Sequence, residues 1–104
     1  MSEEKSLNEQ VAEVHIYERH IECKEAFSKA VNFYREKGSE FKAVYPQLRL
    51  EFKNGKTIDF VDESSAIKKI IGRQNVHIIP HFPVLDRKLR EEIIIRSIPK
   101  GGER

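Results

Sequence analysis

His77 and His81 are the side chains whose type and spacing come nearest to a metal site. On a helix, two imidazoles four residues apart share a face, as zinc-binding pairs do. Pro80 stands between them and bars a regular helix there. No cysteine and no third ligand lies close in sequence, so packed or surface histidines are the preferred reading. Neither a metal nor a cofactor is expected. His15 and His20 add titratable groups without ligand spacing, and together the four histidines can lend pH sensitivity without implying an activity.

Glu51-Phe-Lys53 has the acid and lysine that nucleases place on a core strand beside a metal-binding aspartate. That chemistry needs several carboxylates converging on one or two cations. With a three-residue loop at Lys53-Asn54-Gly55, Glu51 faces outward with Arg49 and Asp59, and Asp59 is expected to pair with Arg49. Asp62 and Glu63 suit the first turn of a helix. A metal-dependent hydrolase or nuclease therefore ranks below a binding role, and the chain reads as a non-enzyme. Cys23 lies among Glu22, Lys24 and Glu25. The acids oppose the electropositive setting that a reactive thiol needs, so a core cysteine at a helix start is expected. The five glycines each fit a cap, a turn or a tail, which leaves no phosphate-cradling loop.

Basic residues offer a different chemistry. Residues 1–52 hold 8 basic and 10 acidic groups, whereas residues 53–104 hold 11 basic and 7 acidic. Lys68, Lys69 and Arg73 fall at the end of one predicted helix, where cations also suit the helix dipole. Arg87, Lys88 and Arg90 occupy the polar side of the next. If both helices flank one side of the domain, these six residues form a patch able to contact phosphates, extended by Lys100 and Arg104. The opposing reading is a solvated face that also carries Asp86, Glu91 and Glu92.

The elements that would position these groups are best defined at Leu48–Val61, where two alternating apolar segments meet across Asn54-Gly55. A two-residue Asn-Gly turn would send Leu48, Leu50 and Phe52 to one face and Ile58 and Phe60 to the other. A three-residue loop, Lys53-Asn54-Gly55 with Gly55 left-handed, pairs Leu50 with Ile58 and Leu48 with Phe60. It also sets Arg49 opposite Asp59 and Glu51 opposite Thr57. The second register gives one apolar face and a matched charge pair, so it is preferred. Its polar face is expected to be solvated.

Residues 7–37 contain neither glycine nor proline, and Ser6-Leu-Asn-Glu9 has the form of a capping box. A single straight helix would nevertheless put Leu7, Val11, Val14 and Ile21 about 180° from Cys23, Phe27, Ala30 and Tyr34. The expectation is a short helix or strand over 7–17, then a helix over about 23–37 ended by Gly38; a kinked helix throughout is the alternative. Ser39 to Pro46 reads as a connector anchored by Phe41, Val44 and Tyr45. A helix over 64–71 stopped by Gly72, a strand over 76–79 and a helix over 84–91 with Leu85 and Leu89 inward should follow. Ile93-Ile-Ile95 and Ile98 favour a buried strand, with extension of the preceding helix as the alternative. Residues 1–6 and 99–104 read as flexible ends.

At 104 residues, 38% hydrophobic and 35% charged, the chain is expected to be a single domain, 1–104, with one modest core. No apolar run approaches the ~20 residues of a membrane helix. Met1-Ser2-Glu3-Glu4 is acidic where a leader would be basic, and a lone cysteine fits a reducing compartment. A cytoplasmic protein without membrane contact is the expectation.

The order LRLEFKNGKTIDFVDESSAIKKIIGRQNVHII, then PVLDRKLREEIIIRSIP, resembles the middle of the ATPase core of phage terminase large subunits over about residues 48–98. In that family a hairpin of this type precedes a short Lys-rich helix and a hydrophobic strand. The family's acidic pair is replaced here by Pro80-His81-Phe82, and Tyr17–Lys24 lacks the glycines and Lys-Ser/Thr of its nucleotide loop. The resemblance implies a reduced α/β layout and a phage or mobile-element setting. It implies no ATP hydrolysis and transfers no functional residue.

These readings converge on an α/β or α+β domain, a small sheet containing the 48–53/56–61 hairpin, strand 76–79 and a strand at 92–98, covered by about three helices. The leading function is a small non-enzymatic binding protein that contacts nucleic acid, or a complex handling it, through its basic C-terminal half. The alternative is a protein-interaction or homo-oligomerisation module pairing through the hairpin edge or the 93–98 strand.

Overall fold

The computed structural model describes residues 12–71 and 76–96. The predicted capping box at 6–9, the Gly72 stop, Arg73, Ile98, Lys100, Arg104 and the two chain ends lie outside those residues.

Strand β1 (Ala12–Tyr17) obeys a period of two: Val14 and Ile16 are buried on one face, while Glu13, His15 and Tyr17 are half-buried on the other. Helix α1 (His20–Glu36) follows after a two-residue turn. The two apolar stripes seen in the sequence therefore belong to a strand and a helix, and the kinked helix is excluded over the described residues. Cys23, Phe27 and Val31 form the buried stripe of α1, and the Arg19 backbone N–H donates to Glu22 Oε1 at 3.0 Å to fasten its start. Its end is a Schellman turn. Gly38 adopts φ 78°, with Ser39 N–H donating to the Tyr34 carbonyl and Gly38 N–H to that of Arg35.

The predicted connector contains a further strand, β2 (Phe41–Val44), antiparallel to β3 (Arg49–Phe52). Only four residues long, β2 is held by aromatic contacts that the local sequence does not announce. Tyr34 meets Phe41 and Phe52 edge-on at 6.3 and 4.9 Å between ring centroids. A 3-10 turn at Tyr45–Gln47 and a left-handed Leu48 (φ 51°) reverse the chain into β3.

Strand β4 (Thr57–Asp62) pairs with β3 in the bulged-loop register: Arg49 opposes Asp59, Leu50 opposes Ile58 and Glu51 opposes Thr57. Gly55 has φ 98°, and Phe52 N–H donates to the Lys56 carbonyl at 2.8 Å to close the loop. The polar face of the hairpin departs from expectation. Asp59 is 0% exposed, because helix α2 (Glu63–Ile70) covers it from the same side. Asp62 caps α2 by accepting from Ser65 N–H at 2.9 Å.

Strand β5 (Val76–Pro80) returns parallel to β1. Helix α3 (Arg87–Arg96) starts where Asp86 Oδ1 accepts from Leu89 N–H at 2.8 Å. The expected 92–98 strand is thus helical through Arg96. No glycine or proline interrupts Leu89–Ile95, and Leu89 with Ile93, one turn later, packs on the sheet. That tertiary contact overrides the β preference of three isoleucines. Leu85 lies before the helix, 82% exposed rather than inward.

The sheet order is β2-β3-β4-β1-β5, with β4, β1 and β5 parallel. Both hairpin strands are interior, so the hairpin offers no free edge. Cys23, Phe27, Val31, Leu50, Ile58 and Phe60 form the core under α1. Val14, Ile16, Ala66, Ile70, Ile78 and Leu89 belong to the core under α2 and α3 on the opposite face. Among the described residues no helix is long and apolar enough to cross a membrane.

Candidate functional site

Because the core under α1 is built on β3 and β4, the half of that sheet face formed by β1 and β5 is open. A groove of about 390 Å³ lies there. Its floor includes Glu13, His15, Tyr17 and Phe60; Ala26, Lys29, Ala30 and Phe33 supply the α1 wall. These wall residues recur at helical spacing, and the two alanines leave the space that larger side chains would fill.

His81 closes one end of the floor. Its backbone N–H donates to the Ile16 carbonyl at 2.9 Å, which carries the β1–β5 ladder one residue past Pro80. Its ring stacks on Tyr17, with centroids 4.4 Å apart and planes 4° from parallel. His81 Nε2 stands 2.8 Å from His15 Nδ1. The two ring planes differ by only 15° with centroids 5.1 Å apart, so the imidazoles meet edge to edge rather than face to face. On its other side, His15 Nε2 lies 3.1 Å from Glu13 Oε1, and Lys56 Nζ lies 3.1 Å from Glu13 Oε2.

The protons in this chain follow from donor and acceptor rules. The hydrogen bond from His15, with help from Lys56, outweighs burial and holds the Glu13 carboxyl down at about 2. Glu13 is therefore an ionised, acceptor-only group at neutral pH, and His15 Nε2 must carry a proton. In the neutral pair His15 Nδ1 is then a lone pair and His81 Nε2–H donates to it. Burial, and then the charge His15 can carry, lowers the pKa of His81. Burial first, then Cys23 and Glu22, raises that of Tyr17.

The histidine pair suggested by sequence spacing is not the one brought together. His77 lies within β5 and His81 one residue past its end, and four residues of extended chain span about 13 Å; His77 sits in register with Glu13. The partner of His81 is His15, from a strand 66 positions earlier. The pattern Glu13-Val-His-Ile-Tyr17 already alternates with period two, which was the signal available for placing Glu13, His15 and Tyr17 on one face. Nothing local tied that face to His81.

The acids of the nuclease reading are otherwise engaged. The Arg49 guanidinium reaches Asp59 at 2.8 Å and Glu51 at 3.6 Å, while Lys53 reaches Glu40 at 3.1 Å. Among the described residues no group of three or more His, Cys, Asp or Glu is placed to hold a metal. Cys23 is buried, and burial with Asp62 and Glu22 pushes its thiol up to about 11.

Of the six cations predicted to meet an anionic partner, five are described. Helices α2 and α3 contact one another on one face of the sheet, packing Ile67, Ile70, Leu89 and Ile93 into the same core. Lys68, Lys88 and Arg90 are exposed. Lys69 is half-buried and 3.8 Å from Asp59, and Arg87 is 3.8 Å from Glu91.

No family model matches the chain, and no curated protein and no solved structure matches it.

Proposed function

We propose that this chain is a small binding protein that contacts nucleic acid, or a complex that handles it, through the exposed cations of α2 and α3. The observation that supports this reading is the side-by-side packing, on one sheet face, of the helix that carries Lys68 and the helix that carries Arg87, Lys88 and Arg90. Lys69 contributes less, being drawn towards Asp59. Cations of this kind engage the phosphate backbone and give no sequence readout. The terminase resemblance suggests a phage or mobile-element setting for such a complex.

Fluorescence anisotropy with labelled duplex and single-stranded oligonucleotides tests the reading. About four phosphate contacts give a log–log salt slope near −3.6, or about 10²-fold weaker binding between 50 and 200 mM salt. The Lys68→Glu/Lys88→Glu/Arg90→Glu variant should lose that binding while keeping its fold. Absence of binding at low salt, or binding indifferent to the triple variant, overturns the proposal.

A second reading, a protein-interaction module, draws on the apolar side chains around α3. Ile94 and Ile95 are 77% and 68% exposed, and Leu85 stands before the same helix. Sedimentation at several concentrations separates self-association through this surface from a monomeric nucleic-acid binder.

A further inference from the structure

We propose that His15 and His81 form a two-imidazole site for a divalent transition-metal ion of the Zn²⁺ and Ni²⁺ class, with the Glu13 carboxylate orienting His15 from behind. The inference concerns the groove on the opposite face from α2 and α3 and does not rest on nucleic-acid binding.

Three features of the site carry it. The first is the facing pair of nitrogens, His15 Nδ1 on β1 and His81 Nε2 one residue past the end of the neighbouring parallel β5, 2.8 Å apart. Two ligands at ~2.0–2.1 Å from a tetrahedral ion stand about 3.3 Å apart, so the rings need to separate by about half an ångström and His81 has to turn until the two ring nitrogens, which now face each other, converge on the ion. His81 lies at the exposed rim and can make that movement by side-chain rotation. The second is the Glu13–His15 contact on the far nitrogen at 3.1 Å. A carboxylate accepting from the distal N–H is the arrangement that fixes the tautomer and raises the basicity of metal-bound histidines. Lys56 holds the other Glu13 oxygen at 3.1 Å, which keeps this carboxylate in the orienting role. The third is ligand type: imidazole suits borderline divalent ions.

Proton balance is simple. In the neutral pair the single proton between the rings belongs to His81 Nε2. On metal binding it leaves Nε2, and His81 is reprotonated from solvent at Nδ1, so the metal takes the place of the bridging proton with no net release. Two protein ligands leave the other coordination positions to water or to a ligand atom in the groove.

Titration of the metal-free chain, residues 1–104, with Zn²⁺ and with Ni²⁺, read by calorimetry and by the histidine ring resonances, decides the matter. Expected is one ion per chain, with the His15 and His81 rings shifted and those of His20 and His77 unmoved. His81→Ala should abolish binding while the circular dichroism spectrum is retained, since that side chain is at the rim. His77→Ala should leave binding unchanged, and Glu13→Gln should weaken it by about 10–100-fold. The proposal is overturned if neither ion binds, or if folded His81→Ala binds as tightly as the unmodified chain. Loss of binding in His77→Ala with His81→Ala unaffected overturns it equally.

Discussion

Arg49 Nε donates to Asp59 Oδ1 at 2.8 Å from the directly opposed position on the neighbouring strand, and the Asp59 side chain has no contact with solvent. The acid of a pair expected on a solvated hairpin face is instead covered by α2, with Lys69 Nζ 3.8 Å from the same oxygen, while the Arg49 side chain stays partly exposed. Desolvation makes such a pair neutral to weakly stabilising against an apolar replacement, whereas removal of one partner leaves a buried charge uncompensated.

Arg49→Met should therefore destabilise the fold by about 3 kcal/mol, the lower end of the range for a broken buried pair, because Lys69 remains nearby. Arg49→Met/Asp59→Leu should recover most of that loss. Urea titrations of the two variants and the unmodified chain give the comparison. A double variant no more stable than the single one would mean that Asp59 is better solvated than its position implies.

Acid should destabilise the protein in two stages. His81 has a lowered pKa in the fold, so the unfolded chain binds its proton first, and stability begins to fall as the pH drops below about 6.5. Glu13 is lowered from 4.5 to about 2. Its contribution is whole above about 4.5 and is lost as the pH falls from there through 2, amounting to roughly 2–3 kcal/mol after allowance for its partial exposure. Thermal melts from pH 8 to pH 2 should show both stages. His81→Ala should remove the upper one, and Glu13→Gln should flatten the lower one.

Helix α3 is the place where local sequence and final structure disagree, and its variants separate the two descriptions. Asp86→Ala removes the acceptor for Leu89 N–H and should cost about 1 kcal/mol. Leu89→Ala opens the core and should cost about 2–5 kcal/mol. Ile94→Glu, on the exposed side, should lie within about 0.5 kcal/mol of the unmodified chain. In a buried strand the isoleucine substitution would be far more damaging, so chemical denaturation of these three variants tells helix from strand.

The parts of this fold that could be read in advance are those whose information is local. Gly55 together with the alternation on both sides of it sets the hairpin register, and Gly38 ends α1 by backbone conformation alone. Asp62 marks the start of α2 in the same way. What could not be read depends on partners distant in sequence. Phe41–Val44 becomes a strand because Tyr34 and Phe52 close over it, and Ile93 stays helical because Leu89, one turn earlier, also packs in the core that α2 and the sheet build. The candidate site follows the same division. The alternation in β1 was visible, but the meeting of His15 with His81 depends on the β1–β5 register, which no short-range pattern encodes.

Cys23 should behave as a packing residue. Its side chain is buried beneath α1, its Sγ is 3.6 Å from the Arg19 carbonyl, and its thiol is pushed up to about 11 by burial and by Asp62 and Glu22. At pH 7 the thiolate fraction is about 10⁻⁴ by that value, against a few per cent for an ordinary cysteine. Labelling by an aromatic disulfide should therefore be slow in native buffer and accelerate in proportion to the unfolded population as urea is added. Rapid, urea-independent labelling would place Cys23 outside the core and require α1 to sit differently on the sheet. Cys23→Ala, which removes one sulfur from a packed site, should cost about 1–2 kcal/mol and leave Zn²⁺ or Ni²⁺ binding at His15 and His81 unchanged.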